Sequence, residues 1–207
     1  GLKKSPVAEV IRRYPKRIVL AAGAFLSIQV TFYILIAFIV AYGVNSPTVE
    51  LSRDVMLTAV LIAAAIMVPT QFYFSGLSDR IGRKRVYQWG AILTGLWGFA
   101  LFPLIDTGSA YAIVLAVSLG LVFLGMQYGP QAAFFTELFS TEVRYSGASL
   151  GYQLGAIVGG ALAPTIAVLL WNNFGIFYVS LYIALAAALT LLSLSALTET
   201  QGKDLTE

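Results

Sequence analysis

Long apolar stretches separated by short charged ones organise this chain. Ile18–Ser52 (interrupted only by Glu50), Val55–Ser78, Val86–Ile105, Thr107–Thr136 and Tyr145–Thr198 are otherwise free of charge. A helix that crosses a bilayer needs about 20 apolar residues, so each of the first four stretches holds one. The fifth spans 54 residues and is broken by Trp171-Asn172-Asn173-Phe174-Gly175, so it holds two. The pattern predicts helices near 17–43, 55–77, 87–105, 110–138, 147–171 and 175–197. The expected fold is an all-α polytopic membrane protein with six transmembrane helices.

Composition agrees. The chain is 58% hydrophobic with a mean hydropathy of +0.82, well beyond a soluble domain. Lys3, Lys4, Arg12, Arg13, Lys16 and Arg17 precede the first helix. Arg80, Arg83, Lys84 and Arg85 lie between the second and third, Arg144 between the fourth and fifth, and Lys203 after the sixth. Thus 12 of the 13 basic residues fall on one side of a six-span arrangement, and Arg53 alone falls on the other. Cytoplasmic loops carry the excess of Lys and Arg, so both termini are expected to be cytoplasmic.

That distribution accounts for the net charge of +3 as topology signals and contacts with anionic lipid, with no nucleic-acid partner. The chain has no Cys and no His. This excludes disulfides, thiolate metal sites and cysteine catalysis, and removes the commonest metal ligand and general base. No nucleophile–base pair or metal cluster supports an enzyme, and no cofactor is expected. The first helix is too long, and its basic flank too extended, for a signal peptide. A start at Gly1 without Met is expected of a fragment or a processed chain.

The densest chemistry lies in Gly76-Leu77-Ser78-Asp79-Arg80-Ile81-Gly82-Arg83-Lys84-Arg85, a predicted tight loop in which five of ten residues are charged. Asp79 and Arg83 stand four apart and can pair over one helical turn. Gly82 permits the sharp turn between them. Gly76 removes a side chain where the preceding helix would meet a neighbour.

Helix interiors offer packing signals and a few polar groups. Gly147, Gly151, Gly155 and Gly159 recur every fourth residue, continued by Ala163. Such a stripe lets two helices approach closely, either inside the bundle or as a sliding surface against another domain. Pro69, Pro103, Pro130 and Pro164 sit inside four different helices, where proline bends the backbone. No charged residue lies at mid-helix. The polar candidates are Gln29, Tyr33, Gln71, Tyr73, Gln127, Tyr128, Gln131, Tyr152 and Gln153. Unpaired buried amides cost several kcal/mol, roughly, so these groups either bond within the bundle or line a wet cavity. Gln29 with Tyr33, and Gln127 with Gln131, each share a helix face, which favours the cavity.

The charged loop resembles the signature loop of the major facilitator superfamily, G-x-x-x-D-R-x-G-R-[KR]. The span Glu137-x6-Arg144 resembles the acidic-to-arginine element that ends helix ten in sugar porters and their metabolite:proton symporter relatives. Tyr145-Ser146-Gly147-Ala148-Ser149-Leu150-Gly151-Tyr152-Gln153-Leu154-Gly155 is similar to the start of helix eleven in the metabolite:proton symporters. Thr198-Glu199-Thr200-Gln201-Gly202 is similar to their P-E-T-K-G ending, with Thr198 and Gln201 in place of Pro and Lys. The resemblance covers nearly the whole chain, as helices seven to twelve of a twelve-helix carrier.

That resemblance implies the C-terminal half of a secondary transporter. Residues 1–16 would end a central cytoplasmic loop, 17–198 would form the six-helix half, and 199–207 a cytoplasmic tail. The substrate would bind between this half and an N-terminal six-helix partner, near the midplane. Helices seven and ten line the cavity in this family, which points to Gln29, Tyr33, Gln127 and Gln131 as substrate-binding residues. Gly76, Asp79, Arg80, Gly82, Arg83, Lys84, Glu137 and Arg144 would form a gating charge network, and Gly147, Gly151, Gly155 and Gly159 an interdomain packing stripe. The expected function is proton-coupled symport of a small polar metabolite, an organic acid or zwitterionic osmolyte, across the plasma membrane (the inner membrane of a bacterium). Sugar transport on the same fold and a non-transport six-helix scaffold are the alternatives.

Overall fold

The computed structural model describes residues 6–13, 15–137 and 144–197. The ending Thr198–Gly202, the tail at 199–207, Lys3, Lys4 and Lys203 lie outside the described residues, as does the side chain of Arg144. Six helices are long and apolar enough to cross a membrane, and no strand occurs among the described residues. A short helix α1 (Pro6–Arg13) comes first, followed by α2 (Pro15–Asn45), α3 (Arg53–Ile81), α4 (Arg83–Ile105), α5 (Ala110–Glu137), α6 (Ser146–Phe174) and α7 (Phe177–Ala196).

Within the stretch 1–16, residues 6–13 form the helix α1. Pro6 opens it at a position where no amide partner is needed, and Arg12 and Arg13 fill its last turn, where cations complement the helix dipole. The short connections also have local causes. The Ser52 side chain accepts from the Val55 amide and caps α3. Gly175, with φ of +107°, separates α6 from α7.

Gly82 alone separates α3 from α4. Its φ of +117° and ψ of +132° are open to glycine and not to other residues. The predicted ten-residue loop is therefore two helix ends meeting at one residue, and Asp79 and Arg80 belong to the last turns of α3.

α2 and α5 are the most enclosed helices. α2 packs on α6 and α7, and α5 packs on α3 and α4. The core between them includes Phe25, Ile28, Phe38, Tyr87, Phe102 and Phe134.

Two spans widen into a π turn, Ile34–Phe38 in α2 and Ala156–Ala161 in α6. The second has a visible cause. Pro164 lacks an amide hydrogen and stands at the start of the segment Ala163–Phe174, which resumes the α-helix beyond Leu162. Pro164 thus restarts a helix, where an interior bend was expected. Pro69, Pro103 and Pro130 lie inside helices as predicted.

Candidate functional site

Polar side chains gather in separate zones of the bundle, the first at its basic end. There Arg83, the first residue of α4, is enclosed enough for strong pairing, with 14% of its side chain exposed. Its Nε donates to both Glu137 oxygens at 3.0 Å. Its Nη1 donates to Asp79 and, at 3.2 Å, to Ser78 Oγ. Glu137 is 10% exposed and Asp79 59%, so the Glu137 arm lies in the lower dielectric and carries more of the interaction. Lys84 donates to the Leu197 carbonyl at 2.7 Å and ties α4 to the end of α7.

Asp79, Arg83 and Glu137 are thus brought together as expected, while Arg80 is exposed. Gly76 departs from expectation: a Cβ there would meet nothing within 4 Å. It precedes Asp79 by three residues where the family pattern has four, so Ser75 occupies the glycine position of the pattern. The close crossing expected there sits instead on α5. A Cβ on Gly129 would lie 2.7 Å from the Ser75 amide nitrogen and 2.9 Å from the Gln71 carbonyl. Gly129 carried no sequence signal, because its neighbour is 54 positions away.

The glycine stripe of α6 also finds its partner inside the bundle. A Cβ on Gly151 would meet Ala21, one on Gly155 would meet Phe25 and the Ala22 carbonyl, and one on Gly159 would meet Leu26, each nearest contact under 3 Å. Gly147 is buried on the same helix. The interdomain role expected of this stripe is therefore corrected: Gly151, Gly155 and Gly159 let α6 close on α2, where any larger residue would force the helices apart.

A second zone crosses the interior. Thr190 on α7 donates to the Gly23 carbonyl at 3.0 Å and accepts from the Ser27 amide at 2.9 Å. Its hydroxyl is spliced between two groups that would otherwise bond each other along α2. Tyr87 donates to the Ala24 carbonyl at 2.7 Å. Gln127 Nε2 donates to Thr94 Oγ1 at 3.0 Å and Ser27 Oγ at 3.4 Å. Ser27, Tyr87, Gln127 and Thr190 are fully buried, so these bonds join α2, α4, α5 and α7 where water cannot compete. Gln127 therefore sits inside the bundle, where a place lining the cavity was expected. Sharing a face with Gln131 did not reveal that the hydroxyls of Ser27 and Thr94 would meet its amide.

The third zone lies where α2, α5 and α6 meet and holds two of the buried side-chain atoms left without a partner among the described residues, the others being Thr31 Oγ1, Ser118 Oγ and Gln127 Oε1. Gln29 is 3% exposed, yet its Nε2 has no partner. Gln131, one turn beyond Gln127, has an unpartnered Oε1. Tyr33 is 38% and Tyr152 37% exposed, and both phenols are within electrostatic reach of the partly buried Tyr128. The Phe32 ring meets Tyr33 and Tyr128 edge-on at 5.5 and 6.2 Å, and Phe25 meets Tyr152 at 5.2 Å. Gly160, in the α6 π turn, leaves room for Gln29 and Tyr33: a Cβ there would lie 3.0 Å from Gln29 Oε1 and 2.9 Å from the Tyr33 ring. Gln153 and Tyr73 are exposed and Gln71 is partly buried, away from this junction.

At the opposite end, Asp106 accepts from Tyr42 and, at 2.9 Å, from Thr48. Tyr42 in turn packs on Trp171 and Phe102. Among the described residues no group of His, Cys, Asp or Glu is arranged to hold a metal ion.

Comparison with known proteins places this architecture. Residues 18–206 match the family model of the Major Facilitator Superfamily. The inner membrane metabolite transport protein YhjE of Escherichia coli is 33% identical over 98% of this chain and 47% of its own length. The shikimate transporter of Escherichia coli is 33% identical over 94% of this chain and 44% of its own. The glycine betaine/proline/ectoine/pipecolic acid transporter OusA of Dickeya dadantii is 27% identical over 99% of this chain and 41% of its own. The chain spans under half the length of these relatives.

Proposed function

The chain belongs to the Major Facilitator Superfamily, and from that premise we propose that it is the C-terminal six-helix half of a secondary transporter for a small polar metabolite. As a multi-pass protein of the plasma or inner membrane, it would act with an N-terminal six-helix half by alternating access, in symport with protons, its basic end facing the cytoplasm. The relatives, named as transporters rather than enzymes, support the transport class. Their named substrates, such as shikimate, proline and glycine betaine, favour an organic acid or zwitterionic osmolyte over a sugar.

One observation carries the reading. Gln29 and Gln131 keep unpartnered polar atoms at membrane depth, on the two helices that are expected to line the cavity. An unpaired buried amide is unfavourable by roughly 1–3 kcal/mol, and a bound polar solute relieves that penalty. Gln29, Tyr33 and Gln131 would contact substrate directly, while Gln127 would hold their helices in register from behind. Every described Asp and Glu lies at a helix end or in a connection, so a mid-membrane proton acceptor would come from the partner half.

Uptake by the complete carrier, in cells lacking their own transporters, tests this reading. Accumulation of shikimate, L-proline or glycine betaine that collapses with a protonophore is expected. Accumulation of none of them, or uptake indifferent to the proton gradient, would overturn the substrate class or the coupling respectively.

A further inference from the structure

The face of the bundle opposite its polar interior carries an apolar groove. Gly90, Thr94 and Trp97 turn one side of α4 towards α5. Thr190 and Ser193 turn one side of α7 towards α2. On their far sides α4 and α7 meet each other, and between them lies an open groove of about 220 Å3. Buried Ala91, Gly95 and Ala187 form its floor, where a Cβ on Gly95 would lie 3.0 Å from that of Ala187. Exposed Ile92, Leu96 and Phe99 form one wall. No charged side chain of the described residues lines it. Because α2 and α5 are the helices expected to line the solute cavity, the groove faces away from that cavity and towards the hydrocarbon.

Its axis leads to a cation. Arg85, Ile92 and Phe99 stand seven apart, two helical turns each, and so share one face of α4. Arg85 is exposed, and no described residue bonds its guanidinium. Asp79 and Glu137, carboxylates of the same end, are engaged by Arg83 and leave the charge of Arg85 uncompensated. Trp89, one turn inward, is 45% exposed, and indole rings are favoured where headgroups give way to acyl chains. From Arg85 to Phe99 the helix rises by about 21 Å, which matches one leaflet from headgroup to midplane.

A cation at headgroup depth, above a dry crease that runs the length of one leaflet, is complementary to a lipid with an uncompensated phosphate. Arginine forms paired, charge-assisted bonds with phosphate oxygens. An acyl chain laid along the crease gains contacts on three sides that it lacks on a flat surface. A helix from a second copy fits less well. With its side chains it is about 10–12 Å across, and Ile92, Leu96 and Phe99 would hold it off the floor. We propose that the α4–α7 groove binds one anionic phospholipid from the leaflet at the basic end, its phosphate on Arg85 and an acyl chain over Gly95 and Ala187. The site concerns the membrane around the carrier, and it stands whichever solute is carried.

The test titrates delipidated complete carrier in detergent with phosphatidylglycerol or phosphatidylcholine, and native mass spectrometry reads the first lipid bound. The parent is expected to prefer phosphatidylglycerol. Arg85→Gln should raise its Kd about ten-fold or more, the loss of a bond between charged groups, and abolish the preference. Ala188→Phe alters an exposed position that lines the groove. It fills the crease and should weaken phosphatidylglycerol binding to a similar degree. Arg12→Gln, which removes an exposed cation of α1 at the same end, should leave the Kd within two-fold. Glycerol 3-phosphate, a headgroup without chains, should not displace the lipid.

Equal binding of the two lipids by the parent would overturn the site, as would an Arg12→Gln loss as large as that of Arg85→Gln, which marks diffuse attraction. Displacement by glycerol 3-phosphate would make it a free-anion site. An unchanged Kd in Ala188→Phe would put the lipid outside the groove. A parent dimer that Ala188→Phe splits, with lipid binding unaltered, would assign the groove to a second copy. Arg85 and Ala188 are both exposed, so either variant keeps the result readable if the other fails to insert.

Discussion

The hydroxyl of Thr190 stands 2.9 Å from the amide nitrogen of Ser27, across 163 positions of chain. The same oxygen donates to the Gly23 carbonyl at 3.0 Å, so one side chain of α7 completes the backbone ladder of α2. Replacing the hydroxyl by a methyl of the same size removes both bonds and keeps the Ser27 amide and the Gly23 carbonyl apart, so neither recovers its partner. Thr190→Val is therefore expected to destabilise the fold by about 1–3 kcal/mol, whereas Thr190→Ser retains most of the stability. Thermal unfolding in detergent measures the difference, and faster hydrogen exchange at the Ser27 amide locates it. Equal melting of the Val and Ser variants would show that the splice carries no stability.

The Arg83 cluster predicts an order of effects. Removing Arg83 leaves Glu137 nearly enclosed and uncompensated, whereas removing Asp79 leaves Arg83 still held by Glu137. Arg83→Gln is expected to be more damaging than Asp79→Asn, and the double variant Arg83→Gln, Glu137→Gln milder than Arg83→Gln alone, because no stranded charge remains. Transport rate and membrane abundance of the complete carrier are the measurements. Additive losses would reduce the cluster to independent surface charges.

Two glycines ten residues or fewer from the same helix crossing should behave oppositely. Gly129 faces the backbone of Gln71–Ser75, which cannot move aside as a side chain can. Gly129→Ala should cost on the order of 2 kcal/mol and lower the melting temperature of the purified protein. Gly76→Ala meets open space within this half and should leave melting unchanged. A harmless Gly129→Ala would mean that α3 and α5 cross less closely than described.

Orientation follows from the one-sided distribution of basic residues and is open to direct test. The chain has no Cys, so single cysteines report cleanly. Cysteine at Thr48 or Asn173, both exposed and at the end away from Arg83, is expected to react with an impermeant reagent from outside intact cells. Cysteine at exposed Arg80 should react only after the membrane is opened. The reverse pattern would invert the topology.

The number of spans, their limits to within a few residues and the pairing of Asp79 with Arg83 were legible in the order of residues. Those features depend on local quantities: the length of an apolar run against the bilayer, a four-residue helical repeat, and a charge that is unfavourable in hydrocarbon. The tertiary structure decided which polar group is engaged and which is left over. Gln127 and Gln131 look alike in sequence, one turn apart on α5, yet Ser27 and Thr94 accept from the amide nitrogen of the first, while the carbonyl oxygens of both have no partner among the described residues. Likewise Gly151 and Gly155 announced a close approach but not its partner, which proved to be α2. Pairing across 100 or more positions is set by how whole helices rotate and slide against one another, and no local pattern encodes that rotation.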